Sequence, residues 1–307
     1  MPGVRRIVFL GDSITYAGHY VDQFEAYLAV RFPERSFEVL DLGLPSETVS
    51  GLSEPGHAGG KFPRPDLHER LDRVLAKTKP DLVIACYGMN DGIYAPYSEE
   101  RFAKYREGIE KLRAKVLATG AKIVHITPPV FDVEPIRAKT DPTGKDPAVM
   151  FTDYDEVLTH YSEWLLSQRS AGWVVIDQHR VMRSVLDARR AGDPAFTFSK
   201  DGVHPTEAAH WIFSMELVGE LSGAERPSAM ELMNRLRDPA FAPDFLALIS
   251  QRRRLLSDAW LTDIGHQRPG MKNGLPIAEA ETKAKELSER IQKQAPLLAD
   301  SKETKPL

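Results

Sequence analysis

A few residues of this chain, far apart in sequence, have types that could do chemistry together. Gly11-Asp12-Ser13 lies near the start, Gly43 and Gly88-Met89-Asn90-Asp91 follow, and Asp201-Gly202-Val203-His204 comes much later. A serine hydroxyl is a weak nucleophile without a base. Asp201 and His204 can supply that base, because a three-residue separation in a tight loop brings the carboxylate back to the imidazole Nδ1–H and leaves Nε2 free to take a proton. Acyl transfer also needs N–H donors aimed at the developing oxyanion. Ser13 offers its own N–H, Gly43 a backbone that can be approached closely, and Asn90 a side-chain amide. Each motif has a plainer reading alone: Ser13 as a helix N-cap, Asp201 as a turn former beside an incidental histidine, Gly43 and Asn90 as turn residues. Together they form a complete set of nucleophile, base, orienter and donors.

These residues need a frame that brings them to one place. Five apolar runs read as strands: Arg6 to Leu10, Phe37 to Leu42, Asp81 to Tyr87, Lys122 to Ile126 and Trp173 to Ile176. They are rich in Val, Ile and Leu without strict alternation, the pattern of parallel strands covered on both faces. Amphipathic stretches lie between them, among them Val21 to Phe32, His68 to Lys77, Glu99 to Ala118 and Tyr154 to Ser170. This alternation predicts a doubly wound α/β/α sandwich. Ligands of such sheets gather outside the carboxyl ends of the strands, where Ser13, Gly43 and Asn90 all fall.

After Leu221 the pattern becomes helical only, with helices expected over Ala229 to Arg237, Pro243 to Trp260 and Pro276 to Gln294 and a polar, frayed end from Ala299. The chain is accordingly divided into a catalytic domain over 1–222 and a helical extension over 223–307. Trp260 to His266 is expected to dock hydrophobic side chains, with a lid over the cleft as the alternative.

A net charge of -4 gives no attraction for polyanions, so nucleic acid is not an expected partner. No apolar run is long enough to span a bilayer, and a membrane is not expected either. One cysteine, Cys86, excludes a disulfide within the chain and any cysteine-based metal cluster. No dinucleotide fingerprint is present. Pro55 and Phe62 break the likeness of Gly56 to Lys61 to a phosphate loop, and no metal-ligand spacing is found, so no cofactor is expected.

In identity, order and placement the motifs resemble the SGNH hydrolases, the GDSL esterase and lipase superfamily, whose name-giving residues correspond to Ser13, Gly43, Asn90 and His204. The resemblance spans about residues 5 to 221. It implies a flavodoxin-like three-layer sandwich on a five-stranded parallel sheet, Ser13, Asp201 and His204 as catalytic residues, an oxyanion hole from Ser13, Gly43 and Asn90, and no metal. Two positions depart from the family pattern. Ile14 replaces the leucine of the first motif, and Ser46 stands where many members carry a second glycine.

The expected activity is serine ester hydrolysis through an acyl-enzyme on short acyl esters, with O-acetyl groups of carbohydrates foremost, since no interfacial helix for long chains is evident and the cleft loops are polar. The alternatives are an O-acyltransferase on the same scaffold and a non-catalytic glycan-binding protein. Asp12, His57, Asp91, Tyr94 and Phe198 are the candidate substrate contacts. For His57 a solvated loop position competes, for Asp91 and Tyr94 support of Asn90, and for Phe198 core packing. The sequence leaves the oligomeric state open. It also leaves the compartment open: cytoplasmic by default, secreted or periplasmic if a leader has been removed.

Overall fold

The computed structural model describes residues 3–300 apart from 224, 239 and 243. The expected frayed end beyond 300 and the Pro243 start of one expected helix lie outside the described residues.

The chain begins with β1 (Arg6–Gly11), which passes directly into a short helix α1 (Ser13–Ala17) and then α2 (His19–Arg31). β2 (Glu38–Asp41) leads through a long loop holding one helical turn, α3 (His57–Gly60), to α4 (Leu67–Thr78). β3 (Leu82–Cys86), α5 (Glu99–Ala118), β4 (Lys122–Ile126), α6 (Tyr154–Ser167), β5 (Val174–Ile176), α7 (Gln178–Arg190) and α8 (Glu207–Leu221) complete the alternation. Polar residues start these helices where the sequence places them. Asp66 accepts from the His68 N–H, Ser98 from Arg101, and Asp177 from Arg180, each satisfying a donor that the first helical turn leaves unpaired.

All strand pairs are parallel and the order is β2-β1-β3-β4-β5. This is the flavodoxin-like order, in which the chain turns to opposite sides of β1 after β2 and before β3 and leaves a crevice at the carboxyl ends of β1 and β3. Ile7, Val8, Phe9 and Leu10 are fully buried, as are Val83 and Ile84 in β3, so both faces of the sheet are covered by helices. α2 packs on α8, and α4 on α5.

The extension consists of α9 (Arg226–Leu236), α10 (Phe245–Ile264) and α11 (Ile277–Asp300). α10 touches β2, α2 and α4, and thereby covers the edge strand of the sheet. Trp260, Leu261 and Ile264 are buried in this contact, so this stretch docks against the sandwich. Among the described residues no helix is long and apolar enough to cross a membrane.

Candidate active site

Ser13 opens α1 immediately after β1, and His204 sits on the loop that enters α8. The fold brings their side chains together across 191 positions of sequence: Ser13 Oγ lies 2.8 Å from His204 Nε2. His204 Nδ1 lies 2.7 Å from Asp201 Oδ2. This is the nucleophile–base–orienter relay in hydrogen-bonding geometry.

The Asp201 carboxylate is heavily supported. Its Oδ1 accepts from Ser199 Oγ at 2.8 Å, from the Val203 N–H at 3.0 Å and from the His204 N–H at 2.8 Å. Partial burial pushes this carboxyl up, but the His204 backbone and side chain, Val203 and Ser199 outweigh it and hold the group well below the usual carboxylate range. Ser199 is tied in turn to Thr197, whose hydroxyl donates to Asp132 at 2.6 Å. Arg190 donates to the other Asp132 oxygen at 2.6 Å, and the Asp132 N–H to Gly202 O at 2.8 Å. Gly202 has φ +82, a left-handed backbone that favours glycine, and a Cβ there would lie 3.1 Å from Asp132 O on the chain after β4.

Asn90 follows β3 and is 4% exposed. Its amide orientation is set from both ends. Nδ2 donates to Glu47 O at 3.2 Å, and the Tyr94 hydroxyl donates to Oδ1 at 3.0 Å. One Nδ2 hydrogen is left for a ligand. Glu47 itself is clasped in the interior by Arg70, at 2.6 and 2.7 Å, and by the Tyr87 hydroxyl at 2.7 Å. Tyr94 and its neighbour Ile93 both have positive φ, 54 and 50, an arrangement that costs about 1–3 kcal/mol per residue and persists only where surroundings enforce it.

Gly43 does not take the role expected of it. Its N–H donates to Asp41 Oδ1 at 3.0 Å inside the protein, and a Cβ on it would press against the Thr15–Tyr16 backbone at 2.4 Å. Gly43 is glycine because the loop after β2 passes directly under α1, and its N–H is occupied. Ser46, three residues later, differs from it. Its N–H has no acceptor among the described residues, it has φ +70, and Glu47 beside it is the partner of Asn90. The visible signal was the Leu44-Pro45-Ser46-Glu47 turn, at the position already noted as departing from the family pattern.

The candidate substrate contacts separate in the same way. Asp91 is fully buried and accepts the Val49 and Ser50 N–H groups at 2.9 and 2.8 Å, so it ties the loop after β2 to the loop after β3 and offers no surface to a substrate. Phe198 is packed edge-on against Phe196 in the interior. Both expectations are corrected. Tyr94 supports Asn90 and carries the Arg64 guanidinium 5.3 Å above its ring. His57 is paired through Nδ1 with Glu54 Oε1 at 3.0 Å, and Glu54 also holds Arg64 with 2.6 and 2.7 Å contacts. Asp12 is 3% exposed and caps the Ile14 N–H at 2.9 Å. Burial drives its pKa up to about 7, while the Ile14 N–H and the charges of His204 and Arg64 pull it back.

The extension is bonded to the helix that Ser13 opens. Arg253 on α10 is buried, and its Nε donates to Asp22 Oδ1 at 2.6 Å, Nη1 to Asp41 Oδ2 at 3.1 Å and Nη2 to Ala17 O at 3.1 Å. One guanidinium therefore joins the end of α1, the start of α2 and the end of β2. Gly18, with φ +78, leaves the room it needs, since a Cβ there would lie 1.9 Å from Arg253 Cζ.

A five-stranded parallel sheet in this order, with a Ser–His–Asp relay at its carboxyl edge, defines an SGNH-type hydrolase fold. Residues 9–212 match the model of the GDSL-like Lipase/Acylhydrolase family, and the chain belongs to that family as a carboxylic ester hydrolase. It is similar to solved structures at low identity. One is BT4096, a gut microbial diltiazem-metabolizing enzyme, at 22% identity and a TM-score of 0.54, covering 73% of this chain and 48% of that one, about half its length. Another is a mutant of Axe2, an acetyl-xylooligosaccharide esterase from Geobacillus, at 20% identity and a TM-score of 0.53, covering 72% of this chain and 95% of that one. A catalytic mutant of Axe2, an acetylxylan esterase from Geobacillus stearothermophilus, matches at 20% identity, a TM-score of 0.53 and the same shares. No curated protein sequence matches the chain significantly.

Proposed function

We propose that the chain removes short acyl groups, O-acetyl groups of carbohydrates foremost, through an acyl-enzyme on Ser13. The observation that carries this reading is the 2.8 Å and 2.7 Å relay from Ser13 through His204 to Asp201 in an open setting, with the His204 and Asp201 side chains 50% and 57% exposed. A triad this open receives a bulky, solvated alcohol more readily than it shelters a long acyl chain. The fold likeness to an acetyl-xylooligosaccharide esterase favours the same substrate class.

In this mechanism Ser13 Oγ attacks the ester carbonyl as His204 Nε2 takes its proton, and Asp201 holds the resulting imidazolium in place. The Ser13 N–H, the free hydrogen of Asn90 Nδ2 and the Ser46 N–H stabilise the oxyanion. His204 then protonates the leaving alcohol, and water admitted to the exposed site is activated by the same histidine to release the acid. A p-nitrophenyl ester series run beside acetylated xylooligosaccharides tests the reading. Acetate is expected to outpace octanoate, with acetate freed from the oligosaccharides. Preference for octanoate, or no release from any acetylated sugar, contradicts it.

A further inference from the structure

Leu44-Pro45-Ser46-Glu47 is a tight turn closed by the Glu47 N–H to Leu44 O at 3.1 Å, with proline second and Ser46, at φ +70, third. These are the marks of a type II turn, whose third position strongly favours glycine. A serine there favours type I instead. The two forms differ by a rotation of the peptide between the second and third residues, here Pro45–Ser46. That rotation exchanges the directions of the Pro45 carbonyl and the Ser46 N–H, which point to opposite sides of one planar trans unit. In the type I form the carbonyl oxygen would face the place where the ester oxyanion develops.

The extension contacts the carbonyl of this peptide. α10 ends at Ile264, where Arg73 on α4 donates to Ile264 O at 2.7 Å and to Gly265 O at 3.1 Å, and Lys77 to Asp263 O at 2.6 Å. The anchored chain then presents Arg268, whose Nε donates to Pro45 O at 2.9 Å. The guanidinium rests over the Phe62 ring, 5.3 Å from its centroid, and a second nitrogen donates to Pro269 O at 2.9 Å.

We propose that Arg268 is a positioning residue, which locks the Pro45–Ser46 peptide with its carbonyl outward and its N–H toward the oxyanion. This rests on the esterase reading and on Ser46 as a donor within it. A charged donor on the carbonyl fixes the orientation and polarises the peptide, so that its N–H becomes a stronger donor. The chain thus replaces the conformational freedom of a glycine with an arginine from outside the sandwich.

The test compares Arg268→Gln in the natural chain and in a Ser46→Gly chain, because glycine removes the preference that Arg268 opposes. Arg268 is partly exposed, so the variant is expected to fold with an unchanged melting temperature. In the natural chain Arg268→Gln is expected to lower kcat on p-nitrophenyl acetate about tenfold, short of the full loss of one oxyanion donor, with KM little changed. In the Ser46→Gly chain the same substitution is expected to cost less than about threefold. An equal loss in both chains, or none in the natural one, overturns the proposal. The crystal structure of Arg268→Gln reads the turn itself, whether or not the chain cleaves esters. Ser46 at negative φ is expected, and a retained positive φ refutes the lock. Absence of Ser13-dependent turnover in the natural chain is instead a failure of the esterase reading.

Discussion

Replacing Arg253 with methionine tests whether the extension is energetically part of the sandwich. Methionine replaces the aliphatic stem and lacks the charged head, which leaves Asp22 and Asp41, 4% and 2% exposed, without the guanidinium that pairs with both. Removing one partner of a buried ion pair costs about 3–5 kcal/mol, because the remaining charge is uncompensated. That is a large part of the roughly 5–15 kcal/mol by which a folded domain is stable. The loss depends on pH in a defined direction. Burial already pushes Asp41 up to about 6 with Arg253 beside it, and it raises Asp22 as well. Without Arg253 both rise further above their unfolded values. Between the unfolded and folded pKa the native state then holds the extra protons, so its stability falls as pH rises. One further unit on Asp41 alone makes the penalty about 1 kcal/mol larger at pH 8 than at pH 5, at 1.36 kcal/mol per unit, and the rise of Asp22 adds in the same direction. Urea unfolding at the two pH values, followed by tryptophan fluorescence, reads both quantities. Trp260 reports the extension, and Trp164, Trp173 and Trp211 report the sandwich. A loss below about 1 kcal/mol, or one equal at both pH values, would refute the shared burial of these charges.

Tyr94→Phe removes the donor to Asn90 Oδ1 and frees the amide to turn; a neutral hydrogen bond is worth about 1 kcal/mol, so kcat should fall about fivefold with little change in melting temperature, and an unaltered kcat would show the tyrosine to be incidental. Asp12→Asn preserves the cap on Ile14, since asparagine caps as well as aspartate. It also removes a group that titrates at about 7 in the fold. The native state binds that proton more tightly than the unfolded chain, so ionising Asp12 costs up to about 4 kcal/mol as pH rises from 4 to above 7. Urea unfolding should show the variant gaining on the natural chain between pH 5 and 8, and parallel pH curves would remove Asp12 from this account.

Much of the frame was legible because the signals were local. β4 and α5 occupy the stretches Lys122 to Ile126 and Glu99 to Ala118 that an apolar run and an amphipathic pattern delimit. Ser13, Asn90, Asp201 and His204 were legible as sets of residue types at strand ends and in one tight loop. Gly43 was misleading for a physical reason. A glycine after a strand marks a close approach, but the thing approached here is α1, and the free N–H appears three residues later, inside a turn. Arg253 and Arg268 carried no sequence signal. An arginine on a helix or in a polar loop reads as solvated charge, and only the folded chain brings Asp22 and Asp41 to Arg253 and the Pro45 carbonyl to Arg268. The ranges 1–222 and 223–307 follow the change of sequence pattern after Leu221, and a guanidinium from the second is bonded to the end of the helix that Ser13 opens.

Treating the protein with a fluorophosphonate and locating the adduct by peptide mass spectrometry reads whether Ser13 is an activated nucleophile. One stoichiometric adduct on Ser13 is expected, formed in step with loss of ester hydrolysis and absent from the Ser13→Ala variant. A chain that hydrolyses esters while Ser13 stays unmodified, or a Ser13→Ala variant that keeps its turnover, would contradict it.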